Sequence, residues 1–158
     1  MYVPRTQWLW LPLCGLFSCL HTCVLPQPDL LDVYQYYCRI GMGLTSPSLR
    51  AASLGMLAVL AENNAAAVAR DVTRLAALRT DSWWEVQAQV AVVCSTLMTN
   101  LGPEDATADA ACRIVSSLLA AGPPPAAARV ALAHVAKVCV CVCVATAHTR
   151  ILQSAQHE

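Results

Sequence analysis

The chain has 158 residues, 57% hydrophobic and only 13% charged, with ten basic and ten acidic groups that cancel. The apolar share excludes a largely disordered chain, and the zero net charge removes any electrostatic case for nucleic acid or an anionic membrane surface. The length allows one domain of ordinary size, and so few charges suit a piece whose faces are covered by further repeats or by a partner.

Residues 1–28 differ in texture from the rest. Arg5 precedes the apolar run Trp8–Leu25, WLWLPLCGLFSCLHTCVL, which holds Pro12, Gly15 and His21. A basic start and an apolar middle fit a secretory signal, and this gives the alternative expectation of a secreted or membrane-anchored helical protein. No small-x-small cleavage site follows, however. As a membrane span the run is marginal, since about 18 uninterrupted apolar residues are needed. A core-packing helix and a segment foreign to the functional protein are the other readings. Pro26 and Pro28 stop whatever precedes them.

Asp29–Leu44 reads as a first helix, with Leu30, Val33, Tyr34, Tyr37, Gly41 and Leu44 inward and Asp32, Gln35, Tyr36 and Arg39 outward. Tyr36, beside Tyr34 and Tyr37, is a candidate contact residue, although tyrosines so placed are more often half-buried packing groups. Ser46-Pro47 marks the next start, serine as cap and proline at the first helical position. That helix, to Leu60, is apolar almost all round and so is covered on more than one side.

Ala65–Arg79 follows after almost no loop and is expected to lie antiparallel to it. Its stripe is Val68, Val72, Leu75 and Leu78, and its polar face carries Arg70, Asp71, Thr73 and Arg74. Asp81–Leu101 opens on Ser82-x-x-Glu85, the pattern of a capping box, with the stripe Val86, Val90, Val93 and Leu97 inward and Cys94 and Leu101 beside it. Gly102-Pro103-Glu104-Asp105 separates it from a helix over Glu104–Ala121, expected to turn Ala111, Cys112, Val115, Leu118 and Leu119 inward. After Gly122-Pro123-Pro124-Pro125 a sixth helix spans Ala126–Val138.

Two of these stretches match at an offset of 37 positions. Leu49 stands over Val86, Arg50 over Gln87, Ala51 over Ala88, Leu60 over Leu97 and Asn63 over Asn100. A fixed period with a second helix between the copies is the mark of stacked helix pairs. Residues 29–138 thus resemble the HEAT and armadillo families of α-solenoids, through Leu49-Arg50-x-x-x-Leu54, Val86-Gln87 and the turn at Asp81. Those families commonly carry aspartate in the turn and Val-Arg on the following helix. Here Asp81 and Val86 fit, and Gln87 stands where arginine is usual. The resemblance implies an all-α fold, a short right-handed superhelix of about three antiparallel helix pairs. It also implies a non-enzymatic scaffold that binds another protein, as part of a longer array.

No catalytic, cofactor or metal constellation stands out. Cys94 and His134 are the best nucleophile–base pair on offer, and each lies in an apolar helical pattern where a packing role is commoner. Trp83 and Trp84 are candidate interface anchors, since adjacent tryptophans diverge on a helix, although packing of both between repeats is the commoner role. Arg70, Arg74 and Arg79 are candidates to meet an acidic partner, or simply a solvated face. Nine cysteines in a chain of this length, three of them alone on helical patterns, point to a reduced, cytoplasmic setting. Residues 139–158 form a Cys/Val-rich and polar tail, entered through the run VCVCVCV. Its three cysteines lack the fourth ligand of a structural zinc site. Alternating valine and cysteine is also what a translated GU repeat yields, which makes this stretch unstructured or foreign to the natural protein.

Overall fold

In the computed structural model the described residues are 28–102, 104–134 and 136, and their regular structure is all helical. The apolar run at 8–25 and the cysteine-rich tail lie outside them. In chain order, α1 is Pro28–Met42, α2 Pro47–Asn63, α3 Ala65–Val68 and α4 Val72–Leu78, with a tighter 3-10 turn at Ala69–Asp71 between the last two. Then come α5, Trp84–Leu101, and α6, Ala106–Ala120. Residues 125–134 form α7. The helix starts recur at the sequence period: Ala65 stands 37 positions after Pro28, and Trp84 37 after Pro47.

The core lies where α2 meets α5, the most extensive helix contact in the molecule. Val86, Val90, Val93 and Leu97 of α5 are all 0% exposed, as the stripe predicts, and so is Cys94 beside them. They face Leu54, Leu57, Leu60 and Ala61 of α2, which are 4% exposed or less. Full burial of each such aliphatic side chain stabilises the fold by roughly 1.5–3 kcal/mol. α1 packs on α2, and α6 on α5. Val68 and Leu75 fix α3 and α4 to the same core, with Val72 and Leu78 half-buried beside them.

α1 shows a different buried face from the one its sequence suggests. Val33, Tyr37 and Leu44 are exposed, whereas Gln35 and Cys38 are buried and Gly41 and Met42 meet α2. Asp71 is likewise buried rather than solvated. The cause is a polar pairing between neighbouring helices: Gln35 Nε2 donates to Asp71 Oδ2 at 2.7 Å and to the Ala67 carbonyl at 2.9 Å. Arg39 Nε donates to Asp71 Oδ1 at 2.7 Å. A buried carboxylate is tolerated only when so satisfied. The helix expected over 65–79 tightens to 3-10 geometry at Ala69–Asp71, the residues that deliver that carboxylate. Cys112, expected inward, is exposed on α6.

The helix ends explain the short connections. Pro47 opens α2 as expected, although the Ser46 hydroxyl makes no cap bond. Asn64 both closes α2 and caps α3: its amide donates to the Leu60 carbonyl, and its side chain accepts from Ala67 N. The Ser82–Glu85 capping box does not form. α5 begins at Trp84 with Trp83 as its unbonded cap, because Asp81 Oδ1 takes the Trp83 amide at 2.9 Å and Glu85 Oε2 takes the Trp83 indole N–H at 3.1 Å. Asp105 caps α6 by accepting from Thr107 N at 2.6 Å. Gly41 marks the close approach of α1 to α2. A Cβ there would meet Ser53 Oγ and lie 2.9 Å from Ser53 Cβ.

Candidate functional site

The turn at Asp81 is built by the previous helix pair. Arg50, on α2, grips Asp81 with both arms of its guanidinium, Nε to Oδ2 at 2.8 Å and Nη2 to Oδ1 at 2.9 Å. Its Nη1 donates to the carbonyls of Thr45 at 2.8 Å and Leu44 at 3.0 Å. Burial opposes ionisation of Asp81, but the Arg50 hydrogen bond, the Trp83 amide and the Arg50 charge together hold its carboxyl below the usual range. Gln87 Nε2 donates to the Asp81 carbonyl at 2.7 Å, while Gln87 Oε1 is buried with no partner among the described residues. One aspartate–arginine rung is therefore present, and Gln87 does not continue it.

That turn fixes the tryptophans. Trp83 is 40% exposed and held by Asp81 through its backbone, and Trp84 is half-buried at the first turn of α5. An indole already immobilised loses little further entropy when a partner covers it.

The larger apolar surface lies on α1. Val33 is 47% exposed, Tyr36 59%, Tyr37 62% and Ile40 46%. Their spacing of three and four places them on one helical face. The two tyrosine rings meet edge-on, with centroids 5.7 Å apart. Leu44 and Leu49, beyond the end of α1, are exposed as well. At the 37-residue offset the stripe stands over Arg70, Thr73, Arg74 and Ala77, all exposed. The same outward face is thus polar on α3–α4 and aromatic on α1. Of the sequence candidates, Tyr36, Arg70 and Arg74 all lie on this outward side. Arg74 is tied to Asp71 at 3.6 Å. Val33 and Tyr37 read as core from their helical spacing, and Ile40 falls in neither the inward nor the outward set. The offset alignment itself carries the missing signal, since arginines over Val33 and Tyr37 mark a face that points to solvent.

Cys94 is fully buried in α5, and burial pushes its thiol up to about 12. Such a thiol is protonated and inert at neutral pH. Cys38 is also pushed up to about 12, by burial first and then by the Asp71 carboxylate. His134 is half-buried on α7. Among the described residues no three histidine, cysteine or acidic side chains gather as a metal site, and no helix is long and apolar enough to cross a membrane. Comparison of the chain with known protein families, curated proteins and solved structures yields no match.

Proposed function

We propose that this chain is a non-enzymatic protein-binding scaffold, built of three helix pairs stacked as a short HEAT/armadillo-like superhelix. The pairs are α1 with α2, α3–α4 with α5, and α6 with α7. The helix starts that recur at 37 positions support the stacking, as does the rung from Arg50 to the next pair's Asp81. One observation carries the functional reading: an outward face that is aromatic on α1 is polar at the same register on α3–α4. A run of four large apolar residues at helical spacing is not a solvated surface by default, and tyrosine is favoured at interfaces. The reading goes with a cytoplasmic location, for which the three unpaired cysteines among the described residues speak.

The test is co-purification from cells with the full chain carrying Tyr36→Ser and Tyr37→Ser together, beside Trp83→Ala and the wild type. The expected result is loss of a specific partner from the double-serine chain at unchanged helicity by circular dichroism. Retention of every partner by that chain contradicts the reading. Loss only with Trp83→Ala moves the contact to the Asp81 turn.

A further inference from the structure

The junction between α1 and α3–α4 is closed by a carboxylate from within the chain, since Asp71 receives both Gln35 and Arg39. The next junction in the same layer, between α4 and α6, has no such group. It is an open groove of about 330 Å³. Val72, Ala76, Ala110 and Ile114 supply its apolar wall, and its polar groups include Thr73, Arg79, Arg113 and Ser117. Arg113 is already neutralised by Asp109, one helical turn earlier.

Arg79 is in a different position. It is half-buried, its Nη1 donates to the Ala76 carbonyl at 2.6 Å, and its Nε donates to the Ser117 hydroxyl at 3.3 Å. No carboxylate among the described residues pairs with it. A guanidinium that has given up part of its hydration for neutral acceptors alone gains most from a charged one.

We infer that this groove binds the side-chain carboxylate of an acidic residue flanked by apolar residues in a partner protein. Arg79 pairs with the carboxylate, the Ser117 hydroxyl stands beside it, and the flanking side chains cover Val72, Ala76 and Ile114. One unpaired guanidinium matches a single negative charge; a phosphate dianion would leave its second charge uncompensated. The inference rests on the scaffold reading but uses different residues from the α1 stripe, so its failure leaves that stripe untouched.

The experiment is fluorescence anisotropy on the full chain with a fluorescein-labelled Gly-Ser-Leu-Glu-Leu-Ser-Gly peptide and its Leu-Gln-Leu counterpart. The glutamate peptide binds, and the glutamine peptide binds about tenfold more weakly, the loss expected for one charge-assisted pair. Arg79→Gln produces the same loss for the glutamate peptide. Ala110→Leu, which fills the groove while keeping Arg79, abolishes binding, and Arg70→Gln on the solvated face leaves it unchanged. Equal binding of the two peptides, or no binding of either, overturns the proposal. So does a loss with Arg70→Gln as large as with Arg79→Gln, or a fall in peptide anisotropy as the chain concentration is raised, which assigns the groove to a second copy.

Discussion

The Arg50–Asp81 pair ties α2 to the turn before α5. Its side chains are 15% and 7% exposed, it is bidentate, and it also anchors Trp83. Removing one partner leaves the other half-satisfied in a poorly hydrated place, so Asp81→Asn is expected to cost about 2 kcal/mol in urea unfolding. The pair also sets a pH dependence. The folded pKa of Asp81 lies below its unfolded value, so its contribution is complete above the unfolded pKa of about 3.9 and is lost as pH falls through the folded value. The unfolding midpoint of the wild type should therefore fall more steeply as pH drops below about 5 than that of Asp81→Asn. Parallel pH curves would show that the pair is energetically silent.

Thiol chemistry gives a second residue-scale expectation. Cys38 and Cys94 are buried with their thiols pushed up to about 12, whereas Cys112 is exposed. Brief alkylation of the native chain, read by peptide mass spectrometry, should label Cys112 and spare Cys38 and Cys94. Prompt labelling of Cys94 would reopen it as a nucleophile.

At the scale of elements, α1 and α5 contrast in how openly their sequences state their packing. α5 carries one valine–leucine stripe, and every member of it is buried. α1 is apolar on two faces, so periodicity alone cannot rank them. The face that wins holds Gln35, because Asp71 arrives from another helix to satisfy it. A polar residue buried by a partner 36 positions away leaves no mark on a local apolar pattern. The capping box fails for a similar reason: the Glu85 carboxylate accepts from the Trp83 indole, Asp81 accepts from the Trp83 amide, and α5 starts at Trp84. The α1–α2 crossing rests on Gly41. Gly41→Ala would press its methyl against Ser53 and is expected to cost about 1–3 kcal/mol, as overpacking does. Adding Ser53→Gly should recover most of that loss, and a double mutant no more stable than Gly41→Ala would place the strain elsewhere. The Arg79 groove, likewise, was visible in sequence only as an arginine-bearing helix. What distinguishes Arg79 from Arg74 is that Asp71 lies within reach of one and not the other.

For the whole molecule, repetition and asymmetry work together. The starts of α1 and α2 stand 37 positions before those of α3 and α5, and the four helices share one core; the scaffold proposal takes α1–α2 and α3–α5 as two versions of one unit. Their outward faces differ: one is arginine-bearing and solvated, the other carries Val33, Tyr36, Tyr37 and Ile40. That difference is the basis for assigning the first pair to partner binding. It is tested most directly by site-specific photo-cross-linking in cells, with p-benzoylphenylalanine in place of Tyr37 and, separately, of Arg74, which stands 37 positions later. The account predicts a discrete cross-linked protein adduct from position 37 and none from position 74. Absence of an adduct at 37, or the same adducts at both positions, would contradict it.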